Sequence, residues 1–147
     1  MAVVTGAARP LAERVALRKS MVAFRMAELR EGVWLRPDNL LQKLPVPLAH
    51  QCVFFSSQYE DAKGLSEQLW DLPGWADEAH RLLEVLDDAD GLVEGFMATA
   101  EVIRHLMLDP YLPDQLLPSG WPGIDLRESY AEFYAGYAQR LRAYSEG

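Results

Sequence analysis

The segment at positions 108–123, LDPYLPDQLLPSGWPG, limits the fold more than any other part of the chain. It holds four of the nine prolines, and proline neither continues a helix nor pairs in a central strand. Large apolar residues lie between these prolines, which is unusual for a linker. Because proline lowers the entropy cost of ordering a segment, we predict a rigid proline strap (residues 108–123) that anchors onto the two helices it connects.

Length and composition indicate one compact domain or two small packed ones, since the chain has 147 residues, half of them hydrophobic. No apolar run approaches the roughly 18 residues that a membrane helix needs. The N-terminus does not resemble a secretory signal, so we expect a cytoplasmic protein with no membrane partner. A single cysteine, Cys52, excludes an internal disulfide and a cysteine-rich zinc site.

Charge is divided unevenly along the chain. Residues 1–43 hold eight basic and four acidic residues, and residues 44–147 hold six basic and eighteen acidic residues. The two parts therefore carry about +4 and −12, within a net charge of −8. An acidic body argues against nucleic-acid binding over the whole surface. The basic end is a solvated helix face, an anion pocket or a face that docks onto the acidic part.

The first seventy residues alternate between strand and helix patterns. MAVVT, EGVWLRP and QCVFFSS predict three strands. The segments PLAERVALRKSMVAFRMAEL and YEDAKGLSEQLW predict two helices, the first with Leu11, Val15, Met21 or Val22, and Phe24 on its apolar side. This order predicts an α+β layer with helices on one face of an antiparallel sheet. A ferredoxin-like unit needs one more strand, which the sequence does not show.

After WDLPGW the pattern becomes purely helical, with three apolar stripes at helical spacing. The first two stripes predict core-facing helices. The aromatic third stripe either buries the last helix or lines a ligand pocket. The three stripes are Trp75, Ala79, Leu82, Leu83 and Leu86; then Leu92, Phe96, Ala100, Ile103 and Met107; then Leu126, Tyr130, Phe133, Tyr134, Tyr137, Leu141 and Tyr144.

Catalytic motifs are weak throughout the sequence. The three histidines are scattered without zinc-ligand spacing, and the segment VTGAAR has too few glycines for a phosphate loop. Cys52 alternates with Phe54 on a predicted strand, which favours a buried residue over a nucleophile. No general acid–base pair stands out. We therefore predict no catalytic residue, no metal site and no enzyme activity.

Four segments, taken in order, resemble the PaaX family of bacterial transcriptional repressors. They are ERVALRKSM, REGVWLRPDNL, LWDLPGW and LPDQLLPSGWPG. The family has an N-terminal winged helix, a ferredoxin-like middle domain and a helical C-terminal domain. The resemblance therefore implies a ferredoxin-like middle domain at residues 1–70 and an all-α C-terminal domain at residues 71–147. The middle domain also resembles the small CRISPR adaptation nuclease, although the carboxylate expected after its first strand is missing.

The resemblance also implies a function in the control of phenylacetate-type aromatic catabolism. It implies a homodimer whose effector is an aryl-CoA thioester such as phenylacetyl-CoA, and DNA binding only through a winged helix. No residues remain for that winged helix, so we expect a fragment or a shortened natural relative. The alternatives are an interaction protein that pairs with a full-length repressor and, less well supported, a metal-dependent nuclease.

Residue type suggests where such an effector binds. Arginine forks suit phosphates, and the first helix is basic. An apolar seam beside tryptophans could take the acyl end. The predicted ligand-binding residues are Arg14, Arg18, Lys19, Arg25, Trp34, Trp70 and Trp75.

Overall fold

The computed structural model describes residues 1–5, 10–41 and 50–145. This part of the chain is a mixed α+β structure with one small antiparallel sheet and five α-helices. The strands are β1 (Ala2–Val4), β2 (Ala27–Arg30), β3 (Val33–Leu35) and β4 (Cys52–Phe54). The helices are α1 (Leu11–Ala23), α2 (Ala62–Leu69), α3 (Leu72–Asp88), α4 (Leu92–Leu106) and α5 (Gly123–Ser145), with a 3-10 turn at Asp114–Leu116.

The chain divides into two compact units. The first combines Met1–Asp71 with Pro110–Leu117, and the second combines Leu72–Asp109 with the residues from Pro118 onward. None of the described helices is both long and apolar enough to cross a membrane. Residues 6–9, the part of the segment VTGAAR that holds its single glycine, lie outside the described residues.

The proline strap packs differently from the prediction, because its central part, Pro110–Leu117, belongs to the first unit instead of to the helices it connects. Asn39 donates its side-chain N–H to the Tyr111 carbonyl oxygen over 2.7 Å. The Ser66 hydroxyl lies 3.4 Å from the Leu116 carbonyl oxygen. In the second unit, Trp121 stacks on Trp75 with 4.6 Å between ring centroids, as an anchor before α5 should.

The sheet of the first unit has the strand order β2-β3-β1-β4, with every neighbouring pair antiparallel. The alternation of strand side chains directs Ala2, Trp34 and Cys52 into one core. Helix α1 buries Leu17 and Met21 against it, one helical turn apart. The predicted apolar side was partly wrong, since Leu11 is 70% exposed.

The strand missing from the sequence prediction is β2. The helix predicted to continue to Leu29 instead ends at Ala23, and Arg25 takes a left-handed φ of 60°. The segment AELR then pairs with β3 through a turn in which Gly32 has φ 76°. The three predicted strands are also present. Hydrogen bonding to β3 outweighs the helix propensity of AELR, which is a weak preference by comparison.

The second unit is a three-helix core. The predicted α3 stripe is confirmed, because Trp75, Ala79, Leu82 and Leu86 are all buried. Helix α5 buries only part of its aromatic stripe, namely Leu126 and Tyr137.

Helix α4 faces the core with the side opposite to the one predicted. Its buried residues are Gly95, Ala98, Thr99, Val102 and His105, whereas most of the predicted stripe is exposed. The small Gly95 lets the Tyr137 ring approach closely, since a Cβ at that position would lie 2.7 Å from the ring. Close helix packing therefore selected the side with small residues.

Candidate functional site

The first unit contains a cavity of about 890 Å³, at the upper end of the range typical of small-molecule sites. It lies between the ends of strands β3 and β4, helix α2 and the proline strap. One part of its lining is apolar and aromatic, and the other part is polar. The apolar residues include Phe24, Met26, Leu35, Phe54, Leu65, Leu69, Trp70 and Leu116, and the polar ones are Arg36, Asp38, Ser56, Ser57, Gln58, Tyr59 and Ser66.

Arg36 is the basic side chain among the residues that line this cavity. Its guanidinium carbon lies 4.0 Å from the centroid of the Phe24 ring, and Nη1 donates to the Phe24 carbonyl oxygen over 3.1 Å. A longer contact of 3.5 Å joins Nη2 to the Leu40 carbonyl oxygen. Since a guanidinium has five N–H donors, two such contacts fix its position and leave further donors for a ligand.

Local sequence explains why Arg36 stands at the cavity. It follows β3 directly and precedes Pro37, and a residue before proline is held in the extended region. Burial lowers the pKa of Arg36, and the nearby Asp38 carboxylate raises it. The side chain stays protonated at neutral pH, because arginine titrates far above that range. It is therefore a partly desolvated cation beside apolar walls.

Helix α2 forms one wall of the cavity through Leu65, Leu69 and Ser66. Asp61 begins this helix, since its carboxylate accepts the Gly64 N–H over 2.9 Å. The buried Ser66 hydroxyl donates to the Lys63 carbonyl oxygen over 2.8 Å, which satisfies it inside the helix. This wall of the cavity is thus a regular helix that hydrogen bonds within the chain hold in place.

The predicted basic residues lie on and after helix α1. Arg14, Arg18 and Lys19 are exposed. Arg18 forms an ion pair with Glu28 over 2.9 Å and lies 5.6 Å from the Trp34 ring centroid. Arg25 directly follows the cavity residue Phe24.

Arg25 directs its guanidinium toward the Tyr111 ring of the proline strap, at 5.1 Å. Of the three predicted tryptophans, Trp70 lines the cavity. Trp34 lies in the core of the first unit, where it is 4% exposed. Trp75 lies in the core of the second unit and stacks on His105 at 4.4 Å. The seven predicted residues are therefore divided between the two units, six in the first and Trp75 in the second, and a contact between any of them and a ligand stays a prediction.

Arg36 was not among the predicted residues, although it stands in the segment REGVWLRPDNL that carries the family resemblance. The available signal was an arginine at the end of a strand, immediately before proline. Its partner Phe24 lies twelve residues earlier, so only the folded chain brings the two together. Chemically, the site can hold an amphipathic molecule that presents an apolar group to Trp70 and an anionic or carbonyl oxygen to Arg36.

Within the described residues, no group of three or more His, Cys, Asp or Glu side chains is placed to hold a metal ion. The residues that follow the first strand, GAAR at 6–9, include no carboxylate in the sequence, and they lie outside the described residues.

Comparisons with known proteins agree over most of the chain. A family model described as PaaX-like protein C-terminal domain matches residues 57–147. A solved structure, the uncharacterized protein Rv0674 from Mycobacterium tuberculosis, is similar with a TM-score of 0.88 and 41% sequence identity. That similarity covers 97% of this chain and 61% of the other, so this chain spans less than two thirds of its neighbour. None of the curated proteins matches this sequence.

Proposed function

This chain belongs to the PaaX-like family, and from that premise we propose that it is the effector-sensing and dimerising part of a bacterial transcriptional repressor. The proposed target genes are those for aromatic-acid catabolism of the phenylacetate type, and the proposed effector is an aryl-CoA thioester such as phenylacetyl-CoA. The observation that carries the proposal is the cavity of about 890 Å³, in which apolar walls meet the fixed cation Arg36.

Each part of such an effector has a counterpart in the first unit. The aryl group would lie among the apolar walls near Trp70 and Phe54. Arg36 would donate to the thioester carbonyl oxygen or to a phosphate, because its planar fork suits both. The phosphates of CoA would extend toward basic residues, for which Arg14, Arg18, Lys19 and Arg25 remain the predicted candidates.

The strand order supports a ferredoxin-like arrangement for the first unit. In the order of strands across the sheet, β1 lies between β3 and β4, and β2 forms the edge next to β3, as in a split β-α-β unit. We propose this fold for the first unit, with an all-α second unit. We further propose a homodimer in the cytoplasm, no enzyme activity, and operator binding only through an N-terminal winged helix.

Calorimetric titration with phenylacetyl-CoA tests the effector proposal, with free CoA and phenylacetate as separate controls. We expect the thioester to bind more tightly than either half. Arg36→Ala should weaken binding by about ten- to a hundredfold, because a hydrogen bond to a charged group contributes roughly 1.5–3 kcal/mol. The matched control is Arg30→Ala, which removes an exposed charge at the end of β2 and should leave the affinity unchanged.

The role of helix α1 is tested in the same titration by Arg14→Ala and Arg18→Ala. If these residues meet the phosphates, both variants lose affinity for the thioester, and the loss grows at low salt because charge pairs are screened by salt. Unchanged affinity in both variants would show that the phosphates bind elsewhere.

A folded sample that binds none of the three molecules would contradict the effector proposal. The better hypothesis would then be the alternative, in which the chain is an interaction protein that pairs with a full-length repressor. That hypothesis predicts derepression of the operon when the chain is overproduced.

A further inference from the structure

The polar part of the cavity holds charges of both signs. Asp38 is the acidic side chain among the described residues that line it, and Arg36 is the basic one. The Met1 amino group also borders the cavity and donates to the Phe55 carbonyl oxygen over 2.8 Å. Burial lowers the pKa of Arg36 and the pKa of the Met1 amino group, and the Asp38 carboxylate opposes both shifts. Asp38 is therefore the anion that faces the positive charges of this site.

The segment Arg36-Pro37-Asp38 holds the two charged side chains close together. Proline fixes its own φ, and it keeps the residue before it in the extended region. Arg36 is further held by the Phe24 ring and by the Phe24 carbonyl oxygen. The position of its guanidinium therefore does not depend on Asp38, which is exposed and is the more solvated of the two.

Positive charge alone would make this site select a free acid instead of a thioester. An aryl acid and its thioester share the aryl group and the carbonyl oxygen, and they differ in the charge of the carboxyl end. A carboxylate binds a guanidinium through charge-assisted hydrogen bonds, which are roughly twice as strong as those to a neutral oxygen. Arg36 without a nearby anion would therefore favour the free acid.

We propose that Asp38 is a specificity-determining residue, which repels the carboxylate of a free aryl acid and so makes the cavity selective for uncharged acyl groups. A carboxylate in contact with Arg36 also meets the Asp38 carboxylate, and like charges repel. A thioester or ester carbonyl oxygen accepts the same Arg36 N–H without this cost. The inference deepens the effector part of the proposed function and rests on it. It implies that the phosphates of CoA lie outside this end of the cavity.

The expected effect is moderate, because Asp38 is exposed and its charge is screened by water and salt. Through such a medium, a like charge several ångströms away weakens binding by about three- to tenfold. That factor is comparable to the advantage that a carboxylate has over a neutral oxygen at a guanidinium. Asp38 can therefore cancel the preference of Arg36 for the free acid.

Ligand-observed fluorine NMR of the whole chain tests this with two probes, para-fluorophenylacetate and its methyl ester. Neither probe has a CoA part, so the two differ in the charge of the carboxyl end and by one methyl group. In the unchanged chain we expect the ester to bind at least as tightly as the acid. Asp38→Asn should bind the acid about three- to tenfold more tightly and change the ester affinity less than about twofold.

Three further variants separate the charge beside the ligand from other effects. Glu31→Gln removes the same charge from an exposed position that is not among the described lining residues, so both affinities should stay unchanged. Asp38→Glu keeps the charge and should keep the selectivity. Arg36→Ala combined with Asp38→Asn should lose most of the gain in acid binding, because that gain needs the guanidinium.

The inference is overturned if Asp38→Asn leaves the ratio of the two affinities unchanged. It is equally overturned if this variant weakens acid and ester alike, which would indicate a structural role for Asp38, or if the ester does not bind the unchanged chain. Should Asp38→Asn lose its circular dichroism signal, Asp38→Ser replaces it as a second uncharged variant.

The titration with phenylacetyl-CoA keeps this inference and the proposed function apart. If the thioester binds and the probe ratio does not respond to Asp38→Asn, only the role of Asp38 is lost. If the probes show the expected ratios and the thioester does not bind, the CoA effector is lost and the selectivity for uncharged acyl groups stands.

Discussion

Arg36 in the first unit and Arg127 in the second are both partly buried, yet the two units use them differently. Arg36 rests on a ring and on backbone carbonyl oxygens, and it lines a cavity. Arg127 forms an ion pair with Asp109, whose side chain is 2% exposed. The first unit thus holds a cation where a ligand could reach it. The second unit uses a cation to neutralise its own interior.

The largest expected effect on stability follows from removing the cation of the second unit. Arg127→Ala leaves a buried carboxylate without this partner and should lower the free energy of unfolding by about 3 kcal/mol. Arg36→Ala removes one good hydrogen bond and a ring contact, and should cost about 1 kcal/mol. Urea denaturation followed by tryptophan fluorescence measures both. Equal losses of unfolding free energy in the two variants would contradict the difference between the two arginines.

Enlarging one alanine in each unit tests whether the cavity has room for a larger side chain. Ala79→Leu adds volume at a fully buried position of the second core and should cost about 2 kcal/mol. Ala62→Leu adds the same volume at the cavity wall and should be nearly neutral. It should also reduce effector binding in the titration. A large destabilisation by Ala62→Leu would mean that the wall has no room to spare.

Two helical glycines of the second unit differ in the space around their Cα atoms. Gly95→Ala would place a Cβ 2.7 Å from the Tyr137 ring, so we expect a net loss of about 1 kcal/mol in spite of the better helix propensity of alanine. Gly136→Ala on α5 meets no atom within 4 Å. It should therefore gain up to about 1 kcal/mol. Thermal melts of the two variants should shift in opposite directions.

The smallest effect concerns the surface of the second unit and depends on pH. The hydrogen bond from Arg81 holds the pKa of Glu78 below its usual 4.5. A carboxylate with a lowered folded pKa stabilises the fold above its unfolded pKa and loses this contribution as pH falls through the folded pKa. The stability difference between the unchanged chain and Glu78→Gln should thus be constant above about pH 5 and shrink below pH 4.5. Urea midpoints between pH 3 and pH 6 check this, and a difference that grows on acidification would contradict it.

Much of the fold could be predicted from local pattern. The three apolar strands and the α3 stripe appear where their periodicity placed them, because each segment has one face that water disfavours. The family resemblance likewise rested on short motifs and is confirmed by the match over residues 57–147. The α+β composition follows from the same local patterns.

Other features depended on partners distant in sequence. AELR reads as helix, and only pairing with β3 makes it a strand. Helix α4 carries apolar residues on both sides, so the close approach of Tyr137 to Gly95 decided which side was buried. Arg36 is held at the cavity by contact with the ring of Phe24, which is distant in sequence.

The sequence by itself determined which segments are regular and which family they belong to, since those properties depend on residues a few positions apart. Tertiary structure decided which apolar face of α4 is buried, that AELR forms the edge strand β2, and which residues line the cavity. Each of these depends on packing between segments that local periodicity does not record.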